Sequence, residues 1–470
     1  MIFSSIFFIF AFLPIVLLIY YLMPFKLKNL VLLIVSLIFY AWGEPIYVIL
    51  MMFSIAINFV SGIELEYLME NGEMQKAKYA CITTVVINLL ILGFYKYYGF
   101  LLENLNAILP FDISYTQLAL PIGISFYTFQ TMSYVIDVYK GKVEAQHNPV
   151  TFGAYVSMFP QLIAGPIVRY SDVEKQLQRR IFSVERFGDG VMWFLQGLGK
   201  KVLIANNMGS VYESVMALGA SQTSVLTAWI GCFAYTMQIY FDFGGYSDMA
   251  IGLGKMLGFD FMKNFDYPYT AKSITEFWRR WHISLSSWFK EYVYIPLGGN
   301  RGGTAQAIRN LMIVWGLTGL WHGAAWNFIF WGLYYGIILI IEKYILKEAM
   351  EKLPSIVQHI YTLVLVMFGW VLFCSPSLGR AASYMGTMLG IGGAGFADAT
   401  ALYYLKSTFL LGTFAAVAST PVIHKRFSEW IKAREVYKRA FCIAMYVVIF
   451  VISTAYLVNA TYNPFLYFRF

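Results

Sequence analysis

The sequence predicts an all-α polytopic membrane protein with about eleven transmembrane helices and additional re-entrant or interfacial helices. Hydrophobic residues make up 59% of the 470 residues and charged residues only 13%, and the mean hydropathy is +0.62. Many apolar runs approach or exceed the about 20 residues that a helix needs to cross a bilayer. These runs are continuous and not alternating, which argues against a transmembrane β-barrel.

The predicted spans follow one another along the chain. They are Ile2–Met23, Leu30–Trp42, Ile46–Ser61, Tyr79–Phe100, Leu118–Val138, Val191–Leu218, Ser224–Phe259, Ile308–Ile345, Val357–Phe373, Leu402–Pro421 and Arg439–Val458. The first span has no basic n-region before it, so we expect it to be retained and not cleaved as a signal peptide.

The net charge of +8 is arranged by loop. Basic residues follow the first span and recur in alternate connections, whereas the connections Gly43–Pro45 and Leu101–Gln117 contain none. This alternation predicts that the N-terminus lies outside and that the lysine-bearing loops lie in the cytoplasm. Because membrane orientation already requires this positive charge, we do not assign it to nucleic-acid binding.

Two segments interrupt the spanning pattern. Val150–Val168 is apolar but has basic flanks on both sides and contains Pro160 and Pro166. This pattern predicts a re-entrant hairpin that enters from the cytoplasmic side, with an ordinary kinked span as the alternative. The second segment, Phe259–Gly303, is too polar and aromatic to cross the membrane simply.

The cysteines and three of the five histidines carry no signal for a site. The four cysteines are far apart and form no CxxC pair, which is typical of small buried hydrophobic residues and not of a metal site. His147, His359 and His424 lie at or near predicted helix ends, where a surface or interfacial role is expected.

His282 lies in "FWRRWHISLSSWFKEY", a cluster of aromatic and basic residues that is unusual for so apolar a chain. If the whole stretch is one helix, the histidine falls on the aromatic stripe and not on the charged side. The members of that stripe are Trp278, Trp281, His282, Leu285 and Phe289. The alternative is an interfacial amphipathic helix whose aromatic belt happens to include a histidine.

His322 lies in the apolar stretch "WGLTGLWHGAAWNFIFWG". An ionisable side chain inside a hydrophobic span is costly and is a functional hypothesis by default. Thr318 is predicted one helical turn before it and Trp326 one turn after it. The small residues that would form a hollow around it are Gly316, Gly319, Gly323, Ala324 and Ala325. The alternative is a histidine that is satisfied by a carbonyl of a neighbouring helix.

Histidine is the usual general base near neutral pH. The stretch around His322 contains no carboxylate, and the chain has no GxSxG elbow or P-loop. A base that deprotonates a hydroxyl, which then attacks an acyl group already activated as a thioester, fits better than covalent serine catalysis or ATP-driven chemistry. Asp242 and Asp248, in the span that follows Ser224, could hydrogen-bond between helices, orient a histidine or line a polar tunnel.

Two motifs in the chain resemble the signature of the membrane-bound O-acyltransferase family. They are "SITEFWRRWHISLSSWFKEYVYIPLGGNRGG", with His282, and "GLWHGAAWNFIFWG", with His322. The bacterial alginate O-acetyltransferase branch is the most similar, and "FPQLIAGPIVRYSDV" and "QIYFDFGGYSDMAIGLGKMLGF" also resemble it. The resemblance is strong from about Pro121 to Tyr344 and rests on topology alone at both ends.

The resemblance implies a bundle with a central tunnel that joins the two membrane faces, and it implies that His322 is the catalytic histidine. His282 occupies a second signature position where eukaryotic relatives often carry asparagine, so it is expected to position or polarise a carbonyl by a hydrogen bond. Side chains expected to line or support the tunnel are Trp281, Trp321, Asp242, Asp248 and Asn327. We expect one integral membrane domain, residues 1–470, with a catalytic core at 118–345 between N-terminal helices 1–117 and C-terminal helices 346–470.

The implied activity is O-acetyl transfer from a cytoplasmic thioester, acetyl-CoA or another acyl thioester, with no metal and no tightly bound cofactor. The donor is expected to pass Lys290, Arg301 and the loop that begins at Gly298 and Gly299. Glycine amides can form an anion-binding nest and arginine suits phosphate recognition. The alternative is a flexible surface loop with no ligand.

The implied location is the inner (cytoplasmic) membrane of a bacterial cell, with a polysaccharide outside as the final acceptor. The loops assigned outside are short, so we expect an extracytoplasmic partner resembling an SGNH hydrolase to receive the acetyl group first. One alternative is a teichoic-acid type D-alanyl transferase that uses a carrier-protein thioester. A lipid or polysaccharide transporter is a weaker alternative, because no duplication of the helices is visible.

Overall fold

A computed structural model of the protein describes residues 1–219, 222–423, 425–426, 429, 435–459 and 463. Within these residues the secondary structure is helical and contains no β-strand, which confirms the all-α fold class. His424 and much of the basic segment from Lys425 to Arg439 lie outside the described residues.

The α-helices of the described chain are numbered in chain order. They are α1 Leu13–Leu22, α2 Phe25–Ala41, α3 Tyr47–Glu70, α4 Met74–Asn106, α5 Ile124–Tyr139, α6 Pro149–Ser157, α7 Phe159–Leu162, α8 Tyr170–Gln178, α9 Val184–Gly199, α10 Asn206–Met216, α11 Val225–Met256, α12 Ile274–Arg280, α13 Ile283–Phe289, α14 Thr304–His322, α15 Trp326–Ile341, α16 Lys347–Lys352, α17 Ser355–Cys374, α18 Leu378–Met388, α19 Ala399–Ala418 and α20 Glu435–Asn459. Short π-helical segments occur at Phe8–Phe12, Lys200–Ala205, Lys290–Tyr294 and Glu342–Leu346.

Six helical stretches of the described chain are long and apolar enough to cross a membrane. They are Tyr47–Glu70, Met74–Asn106, Trp326–Lys352, Ser355–Cys374, Ala399–Ala418 and Ala440–Asn459. Each overlaps a predicted span. The predicted total of about eleven is not confirmed, because other apolar runs form shorter helices such as Phe8–Leu22 or helices with more polar residues.

Backbone contacts divide the chain into two compact units. The first unit contains residues 1–194 and 247–262, and the second contains residues 195–246 and 263–470. The chain therefore passes from one unit to the other three times, within helices α9 and α11 and between residues 262 and 263. The predicted division of the chain at 118–345 follows the family resemblance and stays a prediction.

In the first unit, helices α3, α4 and α5 pack together through polar groups placed in apolar helices. The side-chain amides of Asn58 and Asn88 exchange two hydrogen bonds of 3.0 and 2.9 Å. The hydroxyl of Tyr134 lies where a Cβ on Gly62 would be only 2.4 Å away, so a side chain at this glycine would block the approach of α5 to α3. Buried polar groups that satisfy one another in this way hold apolar helices in register.

The apolar segment with basic flanks is broken, as its prolines predict. Helix α6 begins after Asn148, whose side chain accepts from the first free backbone N–H groups, and the chain turns at Met158 before the short helix α7. The residues from Thr151 to Val168 are buried throughout. Irregular backbone at membrane depth must be covered by protein, and this segment meets that condition; the side from which it enters a membrane stays a prediction.

In the second unit, the predicted single span Ile308–Ile345 is wrong, because the chain folds there into two helices. Helix α14 ends at His322, the backbone is extended at Gly323, and α15 begins at Trp326. The glycines allow the two helices to touch: a Cβ on Gly319 would lie 2.4 Å from a carbonyl oxygen of α15. Trp326 therefore does not follow His322 on one helix, and it is 50% exposed.

Candidate functional site

His322 is the last residue of α14 and is 6% exposed. Its imidazole meets three aromatic rings nearly at right angles, with centroid distances of 5.0 Å to Trp321, 4.9 Å to Trp331 and 5.2 Å to Phe373. A helix C-terminus carries about half a negative elementary charge. The position therefore stabilises the imidazolium that forms when a general base takes up a proton.

His282 does not continue a single helix, so the predicted helical stripe through Trp278 and Phe289 is wrong. Helix α12 ends at Arg280, Trp281 is extended, and His282 has φ 45° and ψ 55° before α13 begins. A left-handed conformation costs a non-glycine residue about 1–2 kcal/mol. Such strain persists only where the surroundings enforce it, and it is concentrated at functional sites.

Asn264 holds the strained backbone around His282. Its backbone carbonyl accepts from the Ile283 N–H at 3.0 Å, and its side-chain Oδ1 accepts from the Ser284 N–H at 3.1 Å and the Ser284 hydroxyl at 3.0 Å. Asn264 thus accepts three hydrogen bonds, which fix Ile283 and Ser284, the two residues that follow His282.

The same asparagine lies beside the ring of His282. A backbone N–H can only donate, so the bond from Ser284 fixes Oδ1 of Asn264 as the oxygen of the amide. Nδ1 of His282 lies 3.3 Å from this oxygen and 3.5 Å from the Ser284 hydroxyl. The tautomer with its proton on Nδ1 can donate to Asn264 and leaves Nε2 as an acceptor; the expected hydrogen bond from His282 to a carbonyl stays a prediction.

Burial lowers the pKa of His282 from 6.5 to about 3, because the 1% exposed ring cannot be solvated as a cation. The ring is therefore neutral near neutral pH. The unfolded chain gains this proton near pH 6.5 and the folded chain does not, so this group makes folding less favourable as the pH falls from 6.5 towards 3.

Trp321 connects the two histidines. Its ring lies 5.9 Å from the imidazole of His282 and 5.0 Å from that of His322, measured between centroids. The first signature motif and the second therefore meet at one indole. Two buried imidazoles around a common aromatic ring can bind and deprotonate a small polar group in surroundings from which water is largely excluded.

Two of the other predicted support residues hold the aromatic walls. Trp281 packs 4.8 Å from Trp370 and 5.0 Å from Phe265, the latter also a neighbour of the His282 ring. Asn327 donates from Nδ2 to the carbonyl oxygen of Phe373 at 3.2 Å, which fixes the ring that faces His322. Both residues act on the histidines through their neighbours.

Asp242 is buried in an ion pair. Its Oδ1 lies 2.6 Å from Nζ of Lys201, and the two side chains are 3% and 2% exposed. Phe243, the next residue of α11, places its ring 4.8 Å from the imidazole of His282. Asp248 is buried in the first unit, and its predicted role at a tunnel stays a prediction.

Two amides of the glycine loop are already used within the protein. The amides of Gly298 and Gly299 already donate to the carbonyls of Ile295 and Tyr294 at 3.0 and 2.9 Å. Asn310 ties the loop down by donating to the carbonyls of Leu297 and Gly299, both at 3.1 Å. These amides are therefore unavailable to an anion.

Lys290 and Arg301 keep the properties expected of phosphate-binding side chains. Both are exposed; Lys290 precedes the glycine loop and Arg301 lies within it. Asn310 is fully buried and holds the carbonyls of Leu297 and Gly299 in this loop. The two charges are thus presented from a fixed backbone.

Sequence reasoning missed the residues that hold this site in place. Glu342 is buried and accepts from the N–H groups of Ile274 and Thr275 at 2.7 and 2.9 Å, which caps the start of α12. Lys201 and Glu342 lie inside predicted spans, where a charge is itself a signal. Asn264 gave no such signal, because it lies in a polar segment where asparagine is unremarkable.

Comparison with known proteins gives consistent results. The model of the membrane-bound O-acyltransferase family matches residues 143–375. A protein of Azotobacter vinelandii named "Probable alginate O-acetylase AlgI" is 44% identical over 398 residues, which are 83% of this chain and 79% of the relative. The "Peptidoglycan O-acetyltransferase" of Helicobacter pylori is 35% identical over 84% of this chain and 80% of its own length. The "Teichoic acid D-alanyltransferase" of Bacillus subtilis is 28% identical over 54% of this chain and 68% of its own length.

Proposed function

This chain belongs to the membrane-bound O-acyltransferase family and is a multi-pass membrane O-acyltransferase, and we propose that it moves acetyl groups across the bacterial inner membrane. The proposed donor is cytoplasmic acetyl-CoA, used as a co-substrate. The proposed final acceptor is a hydroxyl group of a cell-surface polysaccharide. The acceptors named for the two O-acetylating relatives, alginate and peptidoglycan, support this class of acceptor.

The observation that carries the proposal is the pair of buried imidazoles around Trp321. His322 takes the proton from the acceptor hydroxyl while the hydroxyl oxygen forms a bond to the thioester carbonyl carbon. The carbon–sulfur bond then breaks, and the proton passes from the imidazolium to the leaving thiolate, which gives the ester and free CoA. No metal or redox partner is required for this balance.

His282 is proposed to position a substrate and not to take up its proton. Its Nε2 atom is an acceptor in the tautomer that donates from Nδ1 to Asn264, so it can hold an O–H or N–H group of the acceptor or donor. An asparagine side chain can supply the same acceptor atom but cannot act as a base. This shared acceptor atom accounts for the asparagine that eukaryotic relatives often carry at the position of His282, as the resemblance implies.

We expect His282→Asn to retain measurable transfer and His282→Gly to lose about tenfold or more, the range of one hydrogen bond. Asparagine and glycine both adopt the left-handed backbone readily, so the comparison isolates the side chain better than His282→Ala does. Transfer is measured as acetyl incorporation per mole of purified protein. Equal loss in both variants, with His282→Ala as a third arm, would instead assign proton transfer to His282.

The donor is proposed to reach the site past Lys290 and Arg301. The fixed loop and the two exposed charges support this assignment, with the side chains and not the glycine amides as the phosphate ligands. We expect Arg301→Gln to raise the apparent KM for acetyl-CoA about tenfold with a smaller effect on kcat, because a charged hydrogen bond to phosphate is lost. Lys347→Gln, which removes an exposed charge elsewhere in the second unit, is the control.

Charge reversal at both Lys290 and Arg301 is the stricter test of this donor path. An unchanged dependence of the rate on acetyl-CoA in that double variant means that the donor binds elsewhere. If Lys347→Gln raises the KM for acetyl-CoA by the same factor, the effect comes from the change in net charge and not from the loop.

The acetyl group is proposed to reach the polysaccharide through an extracytoplasmic partner. The connections between α2 and α3 and between α4 and α5, which are predicted to lie outside, are short, whereas a soluble domain needs on the order of 50 residues or more. A hydroxyl side chain of the partner, a serine or tyrosine, can reach a buried imidazole more easily than a polymer can.

Purified protein in sealed vesicles tests the proposed function. Radiolabelled acetyl-CoA is supplied on one side and alginate on the other, with and without an extracytoplasmic extract of the same cells. We expect label on the polymer only with the extract. Rapid labelling without it removes the partner from the scheme. Turnover of a D-alanyl carrier-protein thioester, with none of acetyl-CoA, would assign the activity named for the Bacillus subtilis relative.

A further inference from the structure

The first unit buries two positive side chains in one aromatic cluster. Lys28 is 7% exposed and Arg180 is 6% exposed. The ammonium of Lys28 lies 4.4 Å from the centroid of the Tyr20 ring, and the guanidinium carbon of Arg180 lies 5.8 Å from the same centroid. The other rings over which these cations lie are Tyr21, Phe25, Phe182 and Phe259. We call the two cations and these five rings the cation cluster.

The hydrogen-bonding capacity of the cluster is only partly used. Lys28 Nζ donates to the carbonyl oxygen of Tyr20, and Arg180 Nη2 donates to Oδ1 of Asn29. Nε and Nη1 of Arg180 are buried and have no hydrogen-bond partner among the described residues. Buried guanidinium donors are almost always paired, so these two atoms point to a missing acceptor.

The charge of the cluster is also uncompensated. Neither cation forms an ion pair with a carboxylate of the described chain. Asp260, which follows Phe259 in sequence, is paired with Arg186 at 2.7 Å and with Lys255 at 3.5 Å. Two buried like charges around one ring therefore lack the anion that buried charges normally require.

Helix ends compensate only part of this charge. The Tyr20 carbonyl lies at the C-terminal end of α1, and the hydroxyls of Tyr20 and Tyr21 bind the carbonyls of Leu257 and Met256 at the end of α11. Each helix C-terminus carries about half a negative elementary charge. Two helix ends together carry about one negative charge, which offsets about one of the two formal positive charges. Roughly one positive charge remains, which equals in size the single negative charge of a phosphodiester.

Cation–π contacts do not remove the need for an anion. Aromatic faces attract a cation, but they supply neither net negative charge nor acceptors for N–H groups that lie in the guanidinium plane. Arginine is well suited to phosphate recognition, because each of its N–H groups can donate a charge-assisted hydrogen bond to a phosphate oxygen. The rings therefore explain how the cations are held and not what pairs with Arg180 Nε and Nη1.

We propose that the cation cluster binds one phosphate group, whose oxygens accept from one of the two free donors of Arg180 and from Lys28. Phe25 and Ile181, close to the two cations in sequence, are 39% and 72% exposed, so the cluster lies near the protein surface. The phosphate belongs either to a phospholipid headgroup or to a CoA-type nucleotide. The lipid source is independent of the proposed function, and the nucleotide source rests on it.

The test measures binding to the purified chain in a neutral detergent with two probes, short-chain phosphatidylglycerol and CoA. Short-chain diacylglycerol, which lacks the phosphate, controls for the acyl chains. Variants Arg180→Met and Lys28→Met keep the apolar bulk of each side chain and remove its charge. Arg179→Gln removes the same charge from the exposed neighbouring residue and is the matched control.

One probe is expected to saturate on the unmodified protein, and its Kd is expected to rise about tenfold or more in Arg180→Met and Lys28→Met. The Kd of Arg179→Gln should stay within about twofold of that of the unmodified protein.

Saturation by phosphatidylglycerol assigns a lipid headgroup, and saturation by CoA assigns a nucleotide. If Arg180→Met elutes as an aggregate, Lys28→Met decides alone. The proposal is overturned if neither probe saturates, if diacylglycerol binds equally well, or if the variants keep the original affinity. Because binding is measured without turnover, an inactive but folded protein still gives a result.

Discussion

His322→Ala is expected to lower acetyl transfer by about 10²–10⁴-fold while the protein still folds and inserts into the membrane. His322 is the buried imidazole at the end of α14. The second motif contains no other side chain that can take the proton from the acceptor hydroxyl. The measurement is acetyl transfer in the vesicle assay, normalised to the amount of folded protein.

Two further variants separate lost chemistry from lost packing. The ring of His322 contacts Trp331 and Phe373, so alanine also leaves a cavity. His322→Gln keeps much of the volume and removes the base, and it should lose as much activity as alanine. His359→Ala, which removes a half-buried histidine that binds the Ala271 carbonyl at 3.1 Å, should retain activity. Near-normal transfer in His322→Gln contradicts the assignment of His322 as the general base.

Hydropathy predicted the long apolar helices, and it failed where backbone conformation decides the fold. Ser355–Cys374 and Ala399–Ala418 were found because both are long enough and apolar enough to cross a membrane. The break at Gly323 was missed because the residues on both sides of it are equally apolar. A three-residue turn after His322 therefore leaves no trace in a hydrophobicity pattern.

The two histidines were predicted from their rarity and their surroundings, and the structure places both against Trp321. Their supports depend on contacts between distant parts of the chain. Asn264 contacts Nδ1 of His282 from 18 residues away in sequence, and Asn327 holds Phe373 from 46 residues away. A local sequence pattern cannot show such pairings, so the partner of His282 was not predictable from the sequence.

The predicted helix through His282 shows a second limit. The spacing of Trp278, Trp281 and Leu285 fits a helical stripe, yet the chain turns left-handed at His282. The turn is enforced by Asn264 and by the ring of Phe243, neither of which belongs to the motif. A periodic pattern can thus arise from two short helices that share one aromatic environment.

Lys201→Met is expected to destabilise the folded protein by about 3–5 kcal/mol, because it leaves the Asp242 carboxylate buried without its ammonium group. Both side chains are at most 3% exposed, and Lys201 also donates to Asn206 at 2.9 Å. Helices α9 and α11 approach closely near this pair because α11 has Gly245 where the two helices meet. A Cβ on Gly245 would lie 2.7 Å from the carbonyl oxygen of Gly197. The measurement is the thermal unfolding midpoint in detergent.

The double variant Lys201→Met/Asp242→Leu shows whether the pair has a role beyond stability. Replacing a buried ion pair by apolar residues of similar volume is often neutral or stabilising, so the double variant is expected to recover most of the lost stability. Transfer should recover with it, because the pair then serves to hold α11 so that Phe243 faces His282 at 4.8 Å. Lys200→Met, one residue earlier and less buried, controls for the loss of a lysine in the same segment. If the double variant is as stable as the unmodified protein but inactive, Asp242 has a direct part in binding or proton transfer. If the single variant Lys201→Met keeps its stability, the Asp242 carboxylate is compensated in another way.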